Sequence, residues 1–171
     1  MKSFIVIHHS LTTDGNSYNW GAIRKYHMSW RHDGRIVNLQ ESINLKAQGK
    51  KIEEPWADIG YHWGIEMING TLEVLQGRPT PFSGAHCKDA NMNQIGIGVC
   101  LIGDFDKTQP SYELFQKLRE LVQWLKTIYS IPTDNIIGHR EAQAIVGIPL
   151  EQRKTCPGKL FNLGKFRESV I

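Results

Sequence analysis

No run in the 171-residue sequence approaches the roughly 18 consecutive apolar residues that a membrane span requires. The N-terminus, MKSFIVIHHS, also lacks a basic start, an apolar core segment and a small-residue cleavage site. These absences lead to the expectation of a chain with no stable membrane association, cytoplasmic until something other than its own signal releases it. Cysteine is scarce. Cys87, Cys100 and Cys156 are an odd number with no C-x-x-C pair, which argues against a disulfide framework; Cys100, inside IGIGVCLIG, reads as a small core residue. A dominant charge is missing too. The 20 Lys and Arg against 17 Asp and Glu give a net charge of +3, which suits an acidic polymer but falls short of a nucleic-acid footprint. There is no H-E-x-x-H, G-x-S-x-G or Walker loop, and the glycines of GIGVCLIG lie inside a strand-like run rather than a dinucleotide-binding turn.

What is present fits one α/β domain over residues 1–171, with 40% hydrophobic and 22% charged residues. FIVI reads as a strand and LTTDGNS as a loop. NWGAIRKYHMSW places Ile23, Tyr26, His27 and Trp30 at helical spacing behind Asn19 as a cap. Residues 31–54 are polar, carry Lys46, Lys50 and Lys51, and read as an exposed surface insertion with one short helical turn. YHWGIEMI and TLEVLQ, joined by Asn69-Gly70, form a predicted hairpin, and IGIGVCLIG a further strand. Leu114, Leu118, Leu121, Val122, Leu125 and Ile128 trace one face of a helix in PSYELFQKLRELVQWLKTIYS. DNIIGH predicts a short strand ending in His139, and a last helix runs from about Leu163 towards Ile171. Strands interleaved with helices, without internal repeats, imply a central mixed β-sheet flanked by helices.

The candidate chemistry begins with FIVIHHS. Successive strand side chains point to opposite faces, so only one of His8 and His9 looks into a given site. His8 and His139 close two strands and Cys156 closes a loop. Two imidazoles and a thiolate suit Zn²⁺ and leave a fourth position for water, but each residue also has an ordinary structural reading. Tyr61 reads equally as a sheet aromatic and Lys154 as an exposed charge. His62, next to Tyr61, is assigned to structure, and nothing singles out His27 or His32.

In order along the chain, IVIHHS, DIGYHWGI, GAHC, GHRE and KTCPG resemble the zinc-dependent N-acetylmuramoyl-L-alanine amidase family, which includes short phage lysozymes and peptidoglycan recognition proteins. The resemblance runs from about residue 4 to 166. It implies that fold, Zn²⁺ on His8, His139 and Cys156, and a catalytic step served by Tyr61 and Lys154. His9 then falls to packing or support. The resemblance further places His86 along the substrate groove, with Asn93 and Arg78 as additional substrate-binding candidates. It implies peptidoglycan or muropeptides as partner and hydrolysis of the bond between N-acetylmuramic acid and L-alanine, in a phage or prophage endolysin. A cytoplasmic muropeptide-recycling amidase, a non-catalytic peptidoglycan binder on the same fold, and a chain with a regulatory protein partner are the alternatives. Two departures stand out: the sixteen residues between His139 and Cys156, and the insertion at 31–54, both expected to remodel the groove rim.

Overall fold

The computed structural model describes residues 1–11 and 19–171, so all of the predicted LTTDGNS loop except Leu11 lies outside the described residues. Five strands form one sheet: β1 (Phe4–His9), β4 (Trp63–Ile68), β5 (Thr71–Gln76), β6 (Gly96–Leu101) and β7 (Ile136–Gly138), in the order β5-β4-β6-β1-β7. Only β5 runs antiparallel to its neighbour, through the Asn69-Gly70 turn, whose two residues both have positive φ. The three central strands are parallel and covered on both faces, which explains why β1 and β6 are apolar at nearly every position.

Strand alternation then divides the layers. Ile5 and Ile7 pack with Ile97, Val99 and Leu101 against Leu114, Leu118, Leu121, Val122 and Leu125 of α4 (Tyr112–Tyr129) and Phe166 of α6 (Leu163–Ser169). Each fully buried Leu or Ile in this layer contributes about 1.5–3 kcal/mol relative to exposure. Val6 and Cys100 face the other way, Val6 into a cluster with Cys87, Met92 of α3 (Met92–Ile95), Ile137 and Ala142 of α5 (His139–Ile145). Among the described residues, no helix is long and apolar enough to cross a membrane.

Several expectations are corrected. The first helix, α1 (Trp20–His27), is capped by Asn19, whose side chain accepts from Ala22 N–H, but it ends before Trp30, which opens β2 (Trp30–His32). The insertion is ordered rather than mostly irregular. Asp33 and Gly34, at φ 47° and 79°, turn β2 into β3 (Arg35–Val37), and Asn38 caps the nine-residue α2 (Leu39–Ala47) by accepting from Glu41 N–H. Arg31 anchors it: the guanidinium is 2% exposed, lies 4.9 Å from the Tyr26 ring and 4.8 Å from the Trp56 ring, and meets the Glu53 carboxylate at 3.4 Å. Ile128 leaves the buried face of α4 and is 59% exposed. His139 does not end the strand but begins α5, a helix that carries few apolar residues and gave no periodic signal.

Candidate metal centre

Adjacent parallel strands deliver the first two candidate ligands. Ile7 pairs with Gly138, so the next residue on each chain, His8 and His139, emerges side by side at the carboxyl edge of the sheet, with ring centroids 5.0 Å apart. Cys156 arrives on a loop held by Arg140. The Arg140 backbone N–H donates to the Cys156 carbonyl, and its guanidinium donates to the carbonyls of Thr155, Gly158 and Phe161 at 3.1, 2.7 and 3.0 Å. Thr155 adds a 2.6 Å hydroxyl bond to the Asp106 carboxylate.

One ligand atom each from buried His8, His139 and Cys156 lies within 4.8 Å of the others. Cys156 Sγ is 3.6 Å from His8 Nδ1, against about 3.5 Å for a nitrogen and a sulfur sharing one tetrahedral zinc. Burial and the nearby positive groups push His8 far below the ordinary histidine range, and burial with the Lys154 charge brings His139 to about 4, so both rings are neutral, as ligands must be. Burial pushes the Cys156 thiol up to about 12, and a bound cation is what would hold it as thiolate there. Two imidazoles, one thiol and an open side fit zinc in a hydrolytic setting.

His8, His9, Tyr61, His86, His139, Lys154 and Cys156 line one open pocket of about 400 Å³. A larger hollow of about 640 Å³ beside α6 contains none of the three ligands; the chemistry, not the volume, selects the smaller. Tyr61 stands 5.3 Å from His8 between ring centroids. Burial, with the Cys100 and Cys156 thiols beside it, raises its phenol well above the usual range, so it remains an O–H donor. Lys154 is exposed at the rim, with its backbone N–H fixed by Gln143 Oε1 at 2.7 Å. His9 borders the same pocket, but its ring stacks on Phe105 and its Nδ1 accepts that residue's N–H.

His86 is buried, and its Nδ1 lies 3.0 Å from His8 Nε2. Were His8 to hold a metal through Nδ1, its proton would lie on Nε2, which would then donate to His86 Nδ1. Gly98 makes this possible, since a Cβ there would sit 2.5 Å from the His86 ring; the mid-strand glycine is a seat for the histidine. Arg78 and Asn93, the further substrate-binding candidates, are not among the residues that line this pocket. Arg78 spends its donors on the carbonyls of Ile59, Ser83 and Asp58, and Asn93 Oδ1 accepts from His86 and Cys87 N–H, so they brace the segments carrying Tyr61 and His86. His62 is structural: Nδ1 accepts from Gly98 N–H at 2.9 Å, and Nε2 lies 3.0 Å from the Phe82 carbonyl.

Sequence reasoning passed over Arg140 and Asp89. Arg140 was visible as the residue after the ligand in GHRE. Asp89, whose carboxylate lies 3.5 Å from His139 Nε2, follows GAHC by two residues and had no local signal at all.

The family model for N-acetylmuramoyl-L-alanine amidase matches residues 2–159. Peptidoglycan-recognition protein SD of Drosophila simulans is 31% identical over 93 residues, covering 54% of this chain and 47% of that protein. The endolysin of Escherichia phage T7 is 43% identical over 54 residues, 32% of each chain. This chain thus matches about half or less of the length of these relatives. The solved N-acetylmuramoyl-L-alanine amidase LysC from Clostridium intestinale superposes with a TM-score of 0.64 at 20% identity, covering 99% of this chain and 85% of that one.

Proposed function

The chain belongs to the N-acetylmuramoyl-L-alanine amidase family, and from that premise we propose that it is a zinc-dependent hydrolase of the amide bond between N-acetylmuramic acid and L-alanine in peptidoglycan or muropeptides. The observation that carries this reading is the convergence of His8, His139 and Cys156 on an open pocket bordered by Tyr61 and Lys154. A zinc ion on those three ligands would supply a polarised carbonyl and a bound water acidic enough to attack near neutral pH.

The chain's own residues do the rest. Lys154 offsets the negative charge that develops on the carbonyl oxygen, and its exposed position lets it reach a bound substrate. Tyr61, kept protonated, donates a hydrogen bond to that oxygen or to the scissile amide nitrogen, and the departing amine takes up the proton released by the attacking water. His86 fixes the His8 ring. Similarity to a phage endolysin supports a role in lysis from within, with peptidoglycan reached after the membrane is breached.

The test is elemental analysis of purified protein alongside release of new L-alanine N-termini from purified peptidoglycan. About one zinc per chain with chelator-sensitive release is expected, and Cys156→Ser is expected to lose both. Stoichiometric zinc with no release from any peptidoglycan would replace the enzyme by a binding module; absence of zinc would overturn the site.

A further inference from the structure

The strongest unassigned feature lies behind the ligands rather than in front of them. A histidine that binds metal through one ring nitrogen presents the other to the protein, and what meets that second nitrogen sets the ring's orientation and basicity. His8 meets His86 in this way. His139 presents Nε2 to the Asp89 carboxylate at 3.5 Å, and both are largely buried, with side chains 8% and 12% exposed. We propose that Asp89 is a positioning residue for zinc, accepting the Nε2–H of His139 and so fixing Nδ1 as that ring's metal-binding atom. The inference rests on the zinc reading of the site.

The segment from Gly84 to Asn91 is built for the purpose. Asn93 Oδ1 clamps its backbone through His86 and Cys87 N–H, and Gly84 N–H donates to the Asn93 carbonyl at 2.7 Å. Directly after Asp89 the backbone turns through two successive left-handed residues, Ala90 and Asn91, at φ 48° and 59°. One short loop therefore carries the outer partner of both histidine ligands. Cys87, Asp89 and His139 also lie close enough to suggest a separate metal site. Positioning is favoured because the carboxylate already faces His139 at 3.5 Å, while the Cys87 thiol already has a partner, donating to the Asp89 carbonyl at 3.8 Å.

The experiment is zinc affinity by chelator competition, with the visible spectrum of the cobalt(II)-loaded protein, for the parent chain, Asp89→Ala, Asp89→Asn and Cys87→Ala. Asp89→Ala is expected to weaken zinc about 10–100-fold, with shifted cobalt bands. Asp89→Asn, isosteric and still an acceptor, is expected to lose less, and Cys87→Ala to match the parent in both readouts. Unchanged affinity and spectrum in Asp89→Ala would overturn the proposal while leaving the zinc site intact. Equal losses in Cys87→Ala and Asp89→Ala, or a second zinc equivalent in the parent that both abolish, would replace it by a distinct metal site. A parent chain that binds no zinc would instead bring down the zinc reading itself.

Discussion

Substituting Gly98 by alanine tests whether His86 is held in place by the strand beneath it. The new Cβ would lie 2.5 Å from Cγ and Cδ2 of His86 and 2.9 Å from Nδ1, well inside contact distance. The strand cannot yield easily. Gly98 pairs with Val6, its N–H donates to His62 Nδ1, and its carbonyl accepts from His62 N–H. The His86 ring must therefore move, yet it is buried and flanked by His8 and His62 at centroid distances of 5.1 and 5.5 Å. Overpacking of this kind costs about 1–3 kcal/mol. For a domain of this length, that is a fall in Tm of about 2–12 °C, since each kcal/mol is worth about 2–4 °C. Displacing the ring also removes the partner of His8 Nε2, so zinc affinity should fall about 10-fold or more. The assay is a double-mutant cycle read by denaturant unfolding of the metal-free chain. In a His86→Ala background the space is vacant, and Gly98→Ala should cost less than about 0.5 kcal/mol, leaving a coupling of about 1–3 kcal/mol. The same cost in both backgrounds would refute the argument, because the clash would then lie elsewhere.

Three further outcomes are expected. Lys154→Ala should lower turnover on peptidoglycan while retaining stoichiometric zinc; parental turnover would reduce Lys154 to a rim charge. In the metal-free chain, burial holds His62 neutral down to about 4, below the ordinary value near 6.5. The unfolded chain therefore binds the proton first, so this contribution is complete above about pH 6.5 and is lost as pH falls towards 4, by up to about 1.4 kcal/mol per unit. Equal urea midpoints at pH 7 and 5 would contradict it. Arg31→Lys should cost about 1–2 kcal/mol in thermal or urea unfolding, because an ammonium does not reproduce a planar guanidinium stacked between Tyr26 and Trp56. A parental midpoint would show that the stack contributes nothing.

The parts of the fold legible in the sequence are those specified by near neighbours. The 112–129 helix announces itself through apolar residues three and four apart, and Asn69-Gly70 through the positive φ that its turn needs. Asp33-Gly34 carried the same turn signal but was obscured by polar surroundings, and the order of residues 31–54 comes from Arg31 reaching two aromatic rings outside that segment's own pattern. Helix α5 was illegible because its role is to carry His139 and Arg140 rather than to bury an apolar stripe.

The sequence by itself determined the class of fold, the alternation that separates His8 from His9, and, through five ordered motifs, the residues worth suspecting. It could not determine that His8 and His139 are neighbours, because that depends on β1 and β7 pairing in parallel across nearly the whole chain. Nor could it reveal that Gly98 seats His86, that Arg140 holds the Cys156 loop, or that Asp89 meets His139. Those relations depend on distances between segments remote in the chain, set only when the layers pack; local pattern carries periodicity and turn chemistry, whereas a metal site depends on where side chains from different elements converge.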